Sequence, residues 1–344
     1  MIRSAVFISS GIGNAIFLTP LIKKLGEKGR VTALVTSNYQ ADQIFKSTSA
    51  HRLFDEFIAP KRIGGLVGLL KHAFSPFDTI YIDYFGATRS NLLICHFIAK
   101  EIVTNHIPDN LPDRFKSKIR FVSPVPGLHE ASQYMRFLEP TFVDDALEPV
   151  QFDFLKIKRI EHIPPYITIQ PGAGNNATPW KIWPIRLWNE LITAITYAYP
   201  DLKIKVLGDD HDSAMSKAMT EQNEQIELLI GKTSVDMLPE VLSKSRLHIG
   251  GDSGLTHIAG AVGTPTVTIV GGTDPNIFGW DKIDPNKHVL IQNKLDCHPC
   301  YRWYLPNRSR VSDPTLCPDF KCIKSITVSD VFNMVQRQLT EHVS

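Results

Sequence analysis

Residues 250–260 read Gly250-Gly251-Asp252-Ser253-Gly254-Leu255-Thr256-His257-Ile258-Ala259-Gly260. The stretch is a strand end, a tight polar turn and a helix start. Residues 246–249 supply the strand, with Leu247 and Ile249 as its apolar positions. From Gly254 onward, Leu255, Ile258, Ala259 and Val262 recur at helical spacing. Such a turn aims free backbone N–H groups and the positive helix end at one place, which suits a phosphate or diphosphate. Asp252 and Ser253 can bond a sugar there, or the Asp-Ser pair can simply cap the helix.

Working outward, the same strand–helix alternation recurs twice. In the first half, strands are expected at residues 5–8, 31–36 and 79–83, with helices at 15–25, 89–99 and around 129–138. Residues 143–165 are charged and proline-bearing without a clear period, and the domain boundary is placed there. In the second half, strands are expected at 167–170, 203–207, 247–249 and 267–270, with helices at 185–197 and 213–222. A final amphipathic helix carries Val328, Val331, Phe332, Val335 and Leu339 on one face. Alternation of this kind predicts α/β domains with parallel sheets covered by helices on both sides. Two such halves form a cleft, where ligands of these architectures usually bind.

The 344 residues suit about two domains. An apolar fraction of 43% and a charged fraction of 21% mark a globular chain. The net charge of +2 argues against a nucleic-acid binder. Two basic clusters stand out: Lys23, Lys24, Lys28 and Arg30, then Arg114, Lys116, Lys118 and Arg120. Each reads first as a solvated face, and otherwise as a peripheral contact with an anionic membrane or a phosphorylated acceptor. No run is long and apolar enough to span a bilayer. The start leads into Ser9-Ser10-Gly11-Ile12-Gly13-Asn14, a strand–helix loop rather than a cleavage site, so a cytoplasmic protein is expected.

Cys95 lies alone in an apolar helix pattern, as a core residue would. The other four cysteines, Cys297 and Cys300, then Cys317 and Cys322, pair as Cys-x2-Cys and Cys-x4-Cys. Four thiolates at such spacing suit a tetrahedral structural zinc or iron. Two disulfides and four free thiols are the alternatives. The loop between, with Tyr301, Arg302, Trp303, Asn307 and Arg308, has little apolar periodicity, and a metal would order it.

Four segments together resemble glycosyltransferase family 9, the heptosyltransferases of lipopolysaccharide core synthesis. They are Asp252 to Ala259 continuing through Gly263-Thr264-Pro265 to Gly271-Gly272-Thr273-Asp274-Pro275; Gln170-Pro171-Gly172-Ala173 with Trp180-Lys181-Ile182-Trp183-Pro184; Gly13 to Pro20; and Ile82 to Ser90. The resemblance implies a GT-B fold: two Rossmann-like domains facing a cleft. The acceptor side would be residues 1–155 and the nucleotide-sugar side 156–325, with a last helix at 326–344 packing back on the first domain. It implies transfer of a heptose from ADP-heptose with inversion, to a saccharide or lipid-linked acceptor of the lipopolysaccharide core type. It also implies no catalytic metal, and some relatives carry a four-cysteine iron site. A protein hydroxyl is an alternative acceptor.

Donor contacts are then expected at Gly172, Lys181, Asp212, Asp252, Ser253, Gly254, Thr256 and His257. Lys181 would offset the negative charge growing on the leaving diphosphate. Asp252 would bond sugar hydroxyls, and Asp212 would reach the ribose or cap a helix. His257, one turn into its helix, faces the cleft or packs. Asp210-His211-Asp212 spells a metal-binding D-x-D, a reading set aside because such folds work without a catalytic metal. One departure matters: the family's Gly-Asp, whose Asp is taken as the base, is Gly13-Asn14 here. An amide cannot take a proton as a carboxylate does. Three readings stay open. Asn14 orients the acceptor while another carboxylate, with Asp83 the candidate, is the base. The acceptor needs little base help. Or the protein is a catalytically silent binder of sugar nucleotides. A nicotinamide dehydrogenase is set aside, because Ile16 stands where the dinucleotide fingerprint needs its third glycine.

Overall fold

The protein is described by a computed structural model covering residues 1–60, 63–157, 165–174, 179–212, 223–298, 300 and 317–341. The helix expected at 213–222 and the loop residues Tyr301, Arg302, Trp303, Asn307 and Arg308 lie outside the described residues. The chain divides into two compact units, Met1–Leu155 and Lys156–Ser344.

The first unit is built on β1 (Ile2–Ile8), β2 (Gly29–Val35), β3 (Glu56–Ile58), β4 (Phe77–Ile82), β5 (Ala99–Thr104) and β6 (Ile119–Phe121), in the order β3-β2-β1-β4-β5-β6. Every neighbouring pair is parallel. Residues Ala5–Ile8 are buried, which is why β1 reads as an unbroken apolar run: both faces of a parallel sheet are covered. The single helix expected at 15–25 is two, Ile12–Phe17 and Thr19–Lys28. Pro20 accounts for the break, since it has no N–H to continue the ladder but fits the first turn of the second helix.

The second unit repeats the plan with β7 (Tyr166–Gln170), β8 (Lys203–Val206), β9 (Ile226–Leu228), β10 (His248–Gly251), β11 (Thr266–Ile269) and β12 (His288–Ile291), in the order β12-β11-β10-β7-β8-β9. All its pairs are parallel too. Read from the other edge, the two orders are the same. Both are Rossmann-like sheets, reversing direction of growth beside their first strand, and two such units in one chain compose a GT-B fold. Helix Val328–Glu341 buries Val331, Val335 and Leu339 in a core shared with Trp188, Leu191 and Ile195 of helix Ile185–Ala198. The expectation put this last helix on the first domain. Its apolar face is instead spent inside the second unit, against that helix, β11 and β12.

Candidate functional site

The second sheet changes its direction of growth between β7 and β10. In such sheets ligands bind outside the carboxyl ends of the strands at that point. The chain leaves β7 at Gln170 into Pro171-Gly172-Ala173-Gly174. It leaves β10 at Gly251 into Asp252 and Ser253, and helix Gly254–Ala261 begins at once. Ser253 occupies the cap position, but its side chain does not cap. Its hydroxyl donates across the switch point to Gln170 Oε1. The first N–H groups of the helix are thereby kept for another acceptor.

Lys181 stands at the end of a short turn, Pro179–Lys181, between two anchored indoles. Trp180 and Trp183 are both buried, and Trp183 Nε1 donates to Ile326 O at 3.0 Å. Gly271 must be glycine here, because a Cβ would run into the Trp180 carbonyl. The backbone at Lys181 is therefore fixed, and its ammonium lies 3.0 Å from Asp252 Oδ2 while donating to the Asp252 carbonyl at 3.0 Å. Asp252 is 7% exposed. Burial by itself would raise its pKa; the Lys181 charge and a bond from His257 outweigh that and hold it well below the usual carboxylate range. Oδ2 is buried and faces the Lys181 ammonium.

His257 does not face outward. Its Nε2 is 3.2 Å from Asp252 Oδ1, and Trp280 Nε1 donates to its Nδ1 at 3.3 Å. An indole N–H only donates, so Nδ1 accepts and the proton sits on Nε2, toward Asp252. Trp280–His257–Asp252–Lys181 is thus one chain of polar contacts that fixes the Asp252 carboxylate.

Two expected donor contacts have their polar atoms occupied from behind the site. Thr256 is buried and donates to Gly251 O at 2.6 Å, with His248 Nε2 at 3.3 Å. Burial pushes His248 down to about 3, so it stays an uncharged prop. Asp212 lies beneath the Gly172–Gly174 loop. Its carboxylate accepts from Gly174 N at 3.2 Å and from Asp209 N at 3.3 Å. Burial, and then the Asp209 charge, push its pKa up. A Cβ on Gly172 would strike Asp212 Oδ1, so the loop closes on the carboxylate only with glycine there.

The first sheet has its own switch point between β1 and β4, and the first-half candidates gather there. Asp83 follows β4 and is buried. Ser9 Oγ donates to its Oδ1 at 2.7 Å, Gly86 N to the same atom at 2.8 Å, and Tyr134 Oη to Oδ2 at 3.0 Å. Burial raises its pKa against these bonds. A carboxylate so enclosed holds the β1 and β4 loops together. Asn14, on helix Ile12–Phe17, donates from Nδ2 to Glu130 Oε1 at 3.2 Å. Glu130 and Tyr134 both belong to helix Glu130–Met135. The sequence suggested that helix but gave no function to either residue. Their only signal was an acid and a phenol one turn apart.

The four late cysteines are free thiols. Cys300 and Cys322 are buried, Cys317 half-buried and Cys297 exposed. Burial, and then the three neighbouring thiols, push Cys300 up to about 11. Among the described residues no three His, Cys, Asp or Glu side chains are gathered closely enough to hold a metal ion.

Residues 143–306 match glycosyltransferase family 9 (heptosyltransferase), a span holding the Lys181, Asp212 and Asp252–His257 region together with Cys297 and Cys300. Lipopolysaccharide heptosyltransferase 1 of Salmonella typhimurium is 31% identical over 100 residues, 29% of this chain and 31% of that protein. The match thus spans about a third of the relative's length. By fold, the chain superposes over its full length on all of E. coli ADP-heptose lps heptosyltransferase II, with a TM-score of 0.74 at 15% identity. It also resembles the iron-containing dodecameric glycosyltransferase TibC of enterotoxigenic E. coli, over 100% of this chain and 77% of that one, with a TM-score of 0.59 at 17% identity. Residues 143–306 thus match glycosyltransferase family 9, and the whole chain has the fold of a solved heptosyltransferase.

Proposed function

We propose that this protein is an inverting glycosyltransferase that moves a heptose, or a similar sugar, from ADP-heptose to a saccharide acceptor of the lipopolysaccharide-core type. The observation carrying this reading is the Lys181–Asp252–His257 chain beside an uncapped helix start at the second sheet's switch point. The diphosphate sits on the N–H groups opening helix Gly254–Ala261, and Lys181 faces it. Asp252 accepts from a sugar hydroxyl. The acceptor oxygen attacks the anomeric carbon, the bond to the diphosphate breaks, and ADP leaves with the electron pair. Lys181 offsets the charge appearing on that leaving oxygen. The acceptor's proton passes to water, because Asn14 cannot take it and the oxygens of Asp83 are already engaged. No metal is required for this step. The donor named for the E. coli fold relative supports the choice of ADP.

The first unit holds the acceptor in this reading. It exposes Val67, Leu70 and Phe74 along one helix, and Phe97 on the helix it touches, which favours a lipid-linked acceptor met at a membrane surface on the cytoplasmic side. A structural zinc or iron on Cys297, Cys300, Cys317 and Cys322 also belongs to the reading. The Cys-x2-Cys and Cys-x4-Cys spacing supports it, and a cation would supply the charge that ionises the thiols. Protein prepared under reducing conditions should carry close to one metal per chain by elemental analysis, and metal-free protein would refute this part. Asn14 favours a second reading, a binder of sugar nucleotides without transfer.

Calorimetric titration with ADP, UDP and GDP tests the donor. ADP should bind best, and Lys181→Ala should weaken it about tenfold or more, the loss of one charge-assisted bond. Preference for UDP or GDP would move the donor to another sugar nucleotide. No binding to any of the three would refute the donor site. Binding of ADP-heptose without transfer to any saccharide would favour the silent binder.

A further inference from the structure

An amide has a donating end and an accepting end, and its neighbours decide which one faces out. Asn14 is half-buried, and its Nδ2 donates to Glu130 Oε1 at 3.2 Å. Glu130 is 1% exposed. Its helix packs against both helices that follow β1, with the His129 ring edge-on to Phe17 at 4.8 Å. The carboxylate is therefore held in place, and a carboxylate can only accept. It takes the N–H2 end of Asn14 and leaves Oδ1 on the other side. Among the described residues, nothing donates to that Oδ1.

We infer that Glu130 is a positioning residue for Asn14, turning the amide so that Oδ1 accepts a hydrogen bond from the incoming acceptor hydroxyl. The inference deepens the proposed transfer reading and rests on it for the identity of that hydroxyl. Position 14 thereby keeps the hydrogen-bond direction of a carboxylate without its charge. The pairing also disfavours an acid at 14. An Asp there would stand against a buried Glu130, and each carboxylate in such contact raises the other's pKa. Asn14 and Glu130 are matched: an acid at 14 favours a neutral residue at 130.

Four full-length proteins test this: wild type, Glu130→Gln, Asn14→Asp and the double variant Asn14→Asp/Glu130→Gln. The first measurement is thermal unfolding from about pH 4 to about pH 8, spanning the carboxylate range and beyond. In Asn14→Asp the folded pair holds a proton that the unfolded chain releases. Its folded pKa is raised, so stability falls as pH rises. The double variant should lose this dependence and follow wild type. The second measurement is transfer from ADP-heptose to a lipopolysaccharide-core saccharide. Glu130→Gln can present either end of its amide to Asn14, so acceptor KM should rise about tenfold, the loss of one oriented hydrogen bond, with donor KM unchanged. Parallel unfolding curves for Asn14→Asp and the double variant would overturn the inference. So would an unchanged acceptor KM in Glu130→Gln. ADP titration of all four should be alike. Its failure in wild type would refute the donor reading while leaving the unfolding result intact, so the two failures are separable.

Discussion

Asp252 is a buried acid kept ionised by the Lys181 ammonium together with a bond from His257. Removing one partner of such a pair leaves the other charge uncompensated, which costs about 3–5 kcal/mol. Lys181→Ala should therefore reduce stability as well as ADP affinity. The pH dependence distinguishes the two effects. In wild type the folded pKa of Asp252 is depressed, so its contribution is full above the unfolded carboxylate pKa and is lost as pH falls. Without Lys181 only the His257 bond opposes burial, and the folded pKa rises. The cost of the substitution should then be largest near neutral pH and shrink in acid, where the orphaned carboxyl takes a proton. Denaturant unfolding of both proteins at acid and neutral pH measures this. A cost independent of pH would mean that Asp252 is not held by Lys181.

At the scale of elements, the proposed donor site is two loops that leave adjacent parallel strands, each closed by glycine. Gly172 closes one of them onto Asp212. The carboxylate cannot yield, because backbone N–H groups of Gly174 and Asp209 hold it. Gly172→Ala should displace the loop and weaken ADP binding about tenfold, whereas Asp212→Ala removes the obstacle. The double variant should then lose less than the sum of the two single changes, as coupled neighbours do. Strict additivity by calorimetry would detach Asp212 from the loop.

The turn itself was legible in the sequence, because Leu247, Ile249, Leu255 and Ile258 are spaced by the elements they form and the glycines punctuate them locally. The duty of Asp212 was not, since its partner Gly174 lies 38 residues away. The same limit applies to Glu130, whose partner Asn14 is 116 residues distant. The expected strands were those with apolar runs. β3 and β6 are three residues each, too short to show a period. β5 begins Ala99-Lys100-Glu101 directly after a helix, where the charges read as a helix end.

Across the whole molecule, chemistry and surface are divided between the units. The second carries the ion pair, the uncapped helix and the matched family span; the first carries apolar side chains turned to solvent. On helix Ile63–Phe74 the exposed residues Val67, Leu70 and Phe74 recur at spacings that line one face, and Phe74 is 93% exposed. Phe97, on the neighbouring helix, is 6.2 Å from the Phe115 ring, over which Arg114 lies at 4.9 Å. Lys116 follows on the same short turn's edge. An apolar stripe rimmed by cations is the composition of a surface that rests on anionic lipid: the side chains enter the headgroup boundary and the charges meet the phosphates. No helix among the described residues is long and apolar enough to cross a membrane, so contact of this kind would be lateral. The protein should co-sediment with vesicles containing phosphatidylglycerol and much less with vesicles of phosphatidylcholine alone. Added salt should weaken the binding through the cations. Phe74→Asp with Leu70→Asp should abolish it while leaving ADP affinity unchanged, since both positions lie in the unit without the donor site. Retained binding in that double variant would move the membrane contact elsewhere. Equal affinity for both vesicle types would remove Arg114 and Lys116 from it and leave the apolar face alone.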